Sequence, residues 1–394
     1  MTETDRQMTA NDPRLTAQMT FLTEACKLKQ VERQSALQDL SRPENSAEHS
    51  WHVALYALVM DIPELAERKD RFEAIKMILL HDLVEIDAGD HPIHLDHDAA
   101  AVAKAEAAAA DRLFGLLPAD QSAEMRALWD RFEAAETPAA KGAKRMDHVQ
   151  PMLQAAAPGK PLPDHVQVVE DNLAGGRAKN LYQDWPEMFA QVRAALDKTP
   201  APDGDLARRI AFLNDCDRLK PVYRATRIAG GSRFENSAEH SWHLALYALI
   251  LAEHAPHKVD VDRVITMLLL HDLVEIDAGD APIFGHYDVA AKEAEESAAA
   301  KRIFGLLPAP QGAEMLAIWQ EFEANESPDA VFAKSLDRFQ APNQNLASAG
   351  GSWVDYNVTY EMFLEKVGHK IAKGAPMLQE WIAPRVKAFL SNLG

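Results

Sequence analysis

The chain repeats itself. Glu44-Asn-Ser-Ala-Glu-His-Ser-Trp-His52 recurs letter for letter as Glu235 to His243, and Leu79-Leu-His-Asp-Leu-Val-Glu-Ile-Asp-Ala-Gly-Asp90 recurs as Leu269 to Asp280. Phe114 to Ala119 returns as Phe304 to Ala309, and Trp129, Phe132 and Glu133 return as Trp319, Phe322 and Glu323. The offset is 191 residues for the first block and 190 for the others, so one small deletion lies between them. That period is far longer than the roughly 20–50 residues of a solenoid unit. It predicts two tandem copies of one domain, at 14–198 and 206–394, joined by a linker at 199–205 where two prolines and a glycine interrupt polar residues. A copy of roughly 190 residues buries about 70% of its unfolded surface, so neither needs a disulfide or a structural metal to fold.

Local patterning is helical. Ala47 to Met60 is a run of good helix formers opened by Asn45-Ser46, with Glu48 three residues after Asn45 as a capping signature. Phe72, Ile75, Leu79, Leu83 and Ile86 fall at three- or four-residue steps and predict one buried helical stripe. Ala99–Phe114 and Ala123–Glu136 read as further helices, and no stretch alternates as a strand does. The expected fold class is all-α, two helical bundles related by duplication.

Charge narrows the partners. The chain has 41 basic and 60 acidic residues, a formal net charge of −19. Such a surface repels a phosphate backbone, so no nucleic-acid polymer is expected, while a local basic pocket for one small anion is compatible with it. Cys26 and Cys216 make no disulfide framework. The start, Met1-Thr-Glu-Thr-Asp-Arg6, lacks the basic lead and apolar run of a secretory signal. No apolar stretch reaches the about 18 residues of a membrane span, and the expected location is cytoplasmic.

The chemistry concentrates in the repeated blocks. His81, Asp82 and Glu85 interrupt a strongly apolar run, where charged groups are costly unless paired or metal-bound. His81 and Glu85, four apart, share a helix face. His49 on another helix and Asp147 could complete a cluster, and the second copy supplies His240, His271, Asp272, Glu275 and Asp337 in the same places. A single buried His–Asp pair is more often a satisfied structural hydrogen bond. Here the set recurs while neighbours diverge: His91, His94 and His97 align with Ala281, Phe284 and Tyr287.

The order His49 … His81-Asp82 … Asp147, with Glu85 and Gly89-Asp90, resembles the HD-domain metal-dependent phosphohydrolase superfamily. His-Asp-x-x-Glu-x-x-x-Gly-Asp is similar to its 5′-deoxynucleotidase-like branch. The resemblance covers nearly all of each copy and implies one divalent metal per copy, held by His49, His81, Asp82 and Asp147, and by His240, His271, Asp272 and Asp337. Mixed nitrogen and oxygen ligands suit manganese, cobalt, iron or zinc. Glu85 and Glu275 would be general acid or base, and Asp90 and Asp280 further carboxylates near the sugar or leaving group. Arg33, Arg42, Arg224 and Arg233 are candidate phosphate contacts, because a guanidinium fork suits phosphate. Lys29 and Lys220 are weaker candidates. His52 and His243 read as structural or pocket-lining residues, and Trp51 and Trp242 as core.

The implied substrate is a small phosphate ester such as a nucleoside 5′-monophosphate. Alternatives are another HD-type hydrolysis, of a cyclic nucleotide or alarmone, or a noncatalytic metal-binding module. An HD-type oxygenase would need extra histidines, and copy two has none matching those of copy one. After Asp337 the chain carries Asn343, Asn345 and Trp353, a more family-like ending than copy one shows after Asp147. The fusion is expected to form an intramolecular pseudo-dimer.

Overall fold

The computed structural model describes residues 12–91 and 98–393, so His94 and His97 lie outside the described residues. It is predominantly helical, with two small sheets. Each copy centres on a helix whose start carries the expected cap. In copy one this is Ser46–Val59: the Asn45 side chain accepts from the Ala47 and Glu48 amides, and the Glu48 carboxylate accepts from the Asn45 amide at 2.8 Å. The copy-two equivalent is Ser237–Leu251, capped by Asn236 and Glu239.

Every residue of Ser46–Val59 is buried. A helix covered on all sides needs partners all round. Arg68–Leu80 and Pro138–Ala156 of its own copy cover part of it, and Ser237–Leu251 and Asp205–Cys216 of the other copy cover further parts. Ser237–Leu251 is covered likewise by Val261–Leu270 and Pro328–Ala347. The centre of the molecule is therefore the contact of the two capped helices. Trp51 and Trp242 are fully buried there, and each donates its indole N–H across the copies, to the carbonyls of Leu269 and Leu79, both at 3.1 Å.

The structure departs from the sequence reading in two places that matter for the site. The stripe through Ile75 and Ile86 is not one helix. The α-helix ends at Leu80, tightens to a 3-10 turn over His81–Val84, and resumes over Glu85–Ala88. Gly89, at φ 80°, ends it in the left-handed region that favours glycine. The carbonyl of His81 at this break accepts the Trp129 indole N–H, and Trp319 does the same for His271. Strands also exist: Glu32–Ala36 pairs antiparallel with Pro43–Asn45, and Tyr223–Arg227 with Phe234–Asn236. They are too short and polar to show alternation, yet they carry Arg33, Glu44, Arg224 and Glu235 to the sites. The helix read as Ala123–Glu136 runs Ala119–Ala134. Among the described residues no helix is long and apolar enough to cross a membrane.

The leading segments cross over. Pro13–Ala25 and the turn Cys26–Gln30 make their buried polar contacts in copy two: His243 Nε2 donates to the Leu22 carbonyl, and Cys26 Sγ meets Gln344. Asp205–Cys216 does the converse, with His52 Nε2 donating to the Leu213 carbonyl. The division at 199–205 follows chain order, while these buried contacts do not.

Candidate metal centres

Three helical segments deliver the copy-one cluster. His49 comes from Ser46–Val59, His81 and Asp82 from the 3-10 turn, and Asp147 from the middle of Pro138–Ala156. One ligand-type atom each of His49, His81 and Asp147 lies within 4.8 Å of the others. His49 Nε2 and His81 Nε2 stand 3.2 and 3.5 Å from Asp147 Oδ1. Asp82 Oδ1 is 3.0 Å from His81 Nε2, and its Oδ2 is 3.9 Å from His49 Nε2. Copy two repeats this: His240 Nε2 is 3.2 Å from Asp337 Oδ1 and His271 Nε2 is 3.0 Å from Asp272 Oδ1.

The histidine tautomers follow from their partners. Nδ1 of His81 lies 2.7 Å from the Ile78 carbonyl, and Nδ1 of His271 lies 2.9 Å from that of Leu268. A carbonyl only accepts, so Nδ1 carries the hydrogen, and it is Nε2 that would present a lone pair to a cation in the cluster once the ring is neutral. Both Nε2 atoms are buried and have no hydrogen-bond partner among the described residues. Converging lone pairs and carboxylates, with orphaned imidazole nitrogens, are a donor set that fits a divalent transition metal.

The HD domain family matches residues 25–189 and again 216–379. The chain belongs to the HD-domain family. Its two copies carry it among HD-type phosphohydrolases. It is 30% identical over 139 residues to the mouse (Mus musculus) protein "5′-deoxynucleotidase HDDC2", covering 35% of this chain and 68% of that one. To the human protein of the same name it is 29% identical over 130 residues, covering 33% of this chain and 62% of that one. A solved structure described as a predicted metal-dependent phosphohydrolase from Magnetospirillum magnetotacticum MS-1 is 42% identical, covering 48% of this chain and 95% of that one with a TM-score of 0.43.

Around each HD-domain cluster the carboxylates gather on one arginine. Arg33 Nη1 donates to Asp82 at 2.9 Å and lies 3.5 Å from Glu85 and 3.8 Å from Asp90. Arg224 Nη1 donates to Asp272 at 2.7 Å and lies 3.9 Å from Glu275 and 4.0 Å from Asp280. Glu85 accepts from Ser46 Oγ at 2.5 Å, as Glu275 does from Ser237. Burial, reinforced by the negative charge of Asp82, pushes the Glu85 carboxyl up to about 8. The same causes raise Glu275 well above the usual carboxylate range. Asp147 goes the other way: burial would raise it, but the histidines, His49 first, hold it well below that range.

Two pairs of expected phosphate contacts are corrected. Arg42 does not face the cluster. Its guanidinium is spent on the Glu48 carboxylate at 2.6 and 2.8 Å, on the Lys220 carbonyl, and on Tyr223. Arg233 repeats this with Glu239 and the Lys29 carbonyl. Both arginines therefore tie the copies together. Lys29 and Lys220, the weaker candidates, are buried, Lys29 against Glu235 of the opposite copy and Lys220 against Glu44 of the opposite copy and Asp217 of its own. His52 and His243 are structural. Burial first, then a lysine Nζ at 3.0 Å from each Nδ1, depresses them well below the usual histidine value and keeps them neutral.

The pockets beside the HD-domain clusters differ. Copy one has a cavity of about 160 Å³ lined by Arg33, Asp90, Asp147, His148, Met152 and Arg177. Copy two has one of about 70 Å³ lined by Arg224, Asp280, Asp337, Trp353 and Tyr356. Asn345, Trp353 and Tyr356 of the copy-two ending line its pocket. The sequence reading missed the supports of the clusters, Trp129, Trp319, Glu44 and Glu235. Their recurrence in both copies was the available signal.

Proposed function

We propose that the protein is a metal-dependent phosphomonoesterase acting on nucleoside 5′-monophosphates or similarly small phosphate esters, with one divalent metal in each copy. The observation that carries this reading is the convergence, twice, of two buried imidazole nitrogens and a carboxylate beside an arginine and a raised glutamate. The names of the relatives support a nucleotide as substrate. His49, His81, Asp82 and Asp147 would hold the metal in copy one, and His240, His271, Asp272 and Asp337 in copy two. When bound, manganese, cobalt, iron or zinc polarises a phosphoryl oxygen and lowers the pKa of a coordinated water.

The chain's own groups supply the rest. Arg33 and Arg224 face the pockets with a cation next to the clusters, where a phosphoryl group carries its charge. The raised carboxyls of Glu85 and Glu275 suit a general acid that gives its proton to the leaving oxygen, or a base once that proton is lost. Ser46 and Ser237 fix one oxygen of each glutamate and leave the other toward the arginine. Asp90 and Asp280 line the pockets and would stand near the sugar or leaving group. The chain's net charge of −19 disfavours polymeric nucleic acid as substrate.

The test is a panel of phosphate esters offered to protein reconstituted separately with each metal. Inorganic phosphate released from deoxynucleoside monophosphates is the expected result. Hydrolysis of cyclic diesters or pyrophosphates alone would refute it.

A further inference from the structure

The two fully buried lysines are not used by the reading above, and the sequence does not explain them. Each sits in the leading segment of one copy and ends inside the other. Lys29 Nζ lies 2.5 Å from Glu235 Oε1 and 3.0 Å from His243 Nδ1. Lys220 Nζ lies 2.7 Å from Glu44 Oε1 and 3.0 Å from His52 Nδ1. Neither lysine side chain nor either glutamate has any solvent exposure.

The second oxygen of each glutamate points onward. Glu235 Oε2 faces His240 Nδ1 at 3.4 Å, and neither atom has another hydrogen-bond partner among the described residues. Glu44 Oε2 faces His49 Nδ1 at 3.5 Å and also accepts from Ser35 Oγ. His240 and His49 are candidate metal ligands through their other nitrogen, Nε2. A carboxylate behind a ligating imidazole fixes the ring and its tautomer and makes it a better donor. Such a carboxylate, wholly buried, needs a counter-charge to stay in place.

We propose that Lys29 and Lys220 are positioning residues exchanged between the copies. Each secures, through one buried glutamate, a metal-ligating histidine of the opposite copy, so that neither metal centre is complete without the other repeat. This rests on the metal-centre reading proposed above.

The two lysines differ in a way that selects the variant to test. Lys220 also contacts Asp217 at 2.5 Å, whereas Cys26 holds the corresponding position beside Lys29. Removing Lys220 takes the lysine partner from two carboxylates, and removing Lys29 takes it from one, Glu235, which keeps the amide N–H groups of Gln340 and Gln344. Lys29→Met is therefore the cleaner change.

The experiment uses the full chain with Co²⁺ alone as probe. Two backgrounds each retain one centre: His81→Ala with Asp82→Ala leaves copy two, and His271→Ala with Asp272→Ala leaves copy one. Affinity is read by titration and ligand geometry by the visible absorption of bound cobalt. Lys29→Met should weaken cobalt binding about 10- to 100-fold in the background that keeps copy two and alter its spectrum. In the background that keeps copy one, affinity and spectrum should be unchanged. Lys29→Gln, which keeps an N–H donor for Glu235, should fold and fall between. Equal weakening of both centres marks a merely structural lysine and overturns the proposal. So does weakening confined to copy one, or no weakening at all. Unaltered protein that takes up no cobalt overturns the metal-centre reading and this inference with it, whereas failure to hydrolyse nucleotides with cobalt bound refutes only the substrate.

Discussion

Replacing Glu48 by glutamine tests whether the two copies unfold as one body. The Glu48 carboxylate has no solvent exposure and accepts four hydrogen bonds. Arg42 supplies two, the Asn45 amide one, and Asn236 of the other copy one at 2.7 Å. A glutamine has one oxygen, so its amide group must turn N–H donors toward N–H donors. Breaking a buried pair costs about 3–5 kcal/mol. Arg42 is a quarter exposed, which places the cost near the lower end, about 3 kcal/mol. Unfolding entropy of about 2.1 cal/mol/K per residue over the whole chain gives about 0.8 kcal/mol/K, so a single transition should fall by about 4 °C. If copy one unfolded alone, half that entropy applies, and one transition should fall by about 7 °C while the other stays put. Calorimetry of chelator-treated protein makes the measurement without linked metal binding. One endotherm displaced by about 4 °C is the expected outcome, with Glu239→Gln giving the same. Two endotherms of which one is unmoved, or a displacement below about 1 °C, would refute the reasoning.

The remaining expectations concern the sites. His81→Ala with Asp82→Ala should remove one equivalent of metal, as should the copy-two counterpart, by elemental analysis. Glu85→Gln combined with Glu275→Gln should lower phosphate release by about 10²- to 10⁴-fold with metal content retained. Arg33→Lys with Arg224→Lys should raise KM for a monophosphate, whereas Arg42→Lys should lower the melting temperature and leave KM alone. Trp129→Phe removes the indole N–H from the buried His81 carbonyl, and should cost about 1–3 kcal/mol in denaturant unfolding.

Much of this molecule was legible in its letters, for identifiable reasons. The Asn45–Glu48 cap is a local signal, satisfied within four residues, and it forms as read. The all-helical class follows from the 3.6-residue spacing of apolar side chains. The candidate ligands stood out because charged residues sat in apolar runs in both copies. Periodicity did not reveal the helix break at His81, because Leu79, Leu83 and Ile86 keep their spacing through a 3-10 turn. Nor did it reveal the strands, whose polar residues bear no alternation.

Arg42 and Lys29 show where a duplicated sequence stops being informative. Lys29 could meet Glu44 in its own copy or the identical Glu235 in the other, and composition and spacing make those contacts chemically the same. The letters supplied the groups, a lysine, a glutamate and a histidine in each copy. Only the packing of Ser46–Val59 against Ser237–Leu251, which carries each leading segment across the central contact, decided in which copy they pair.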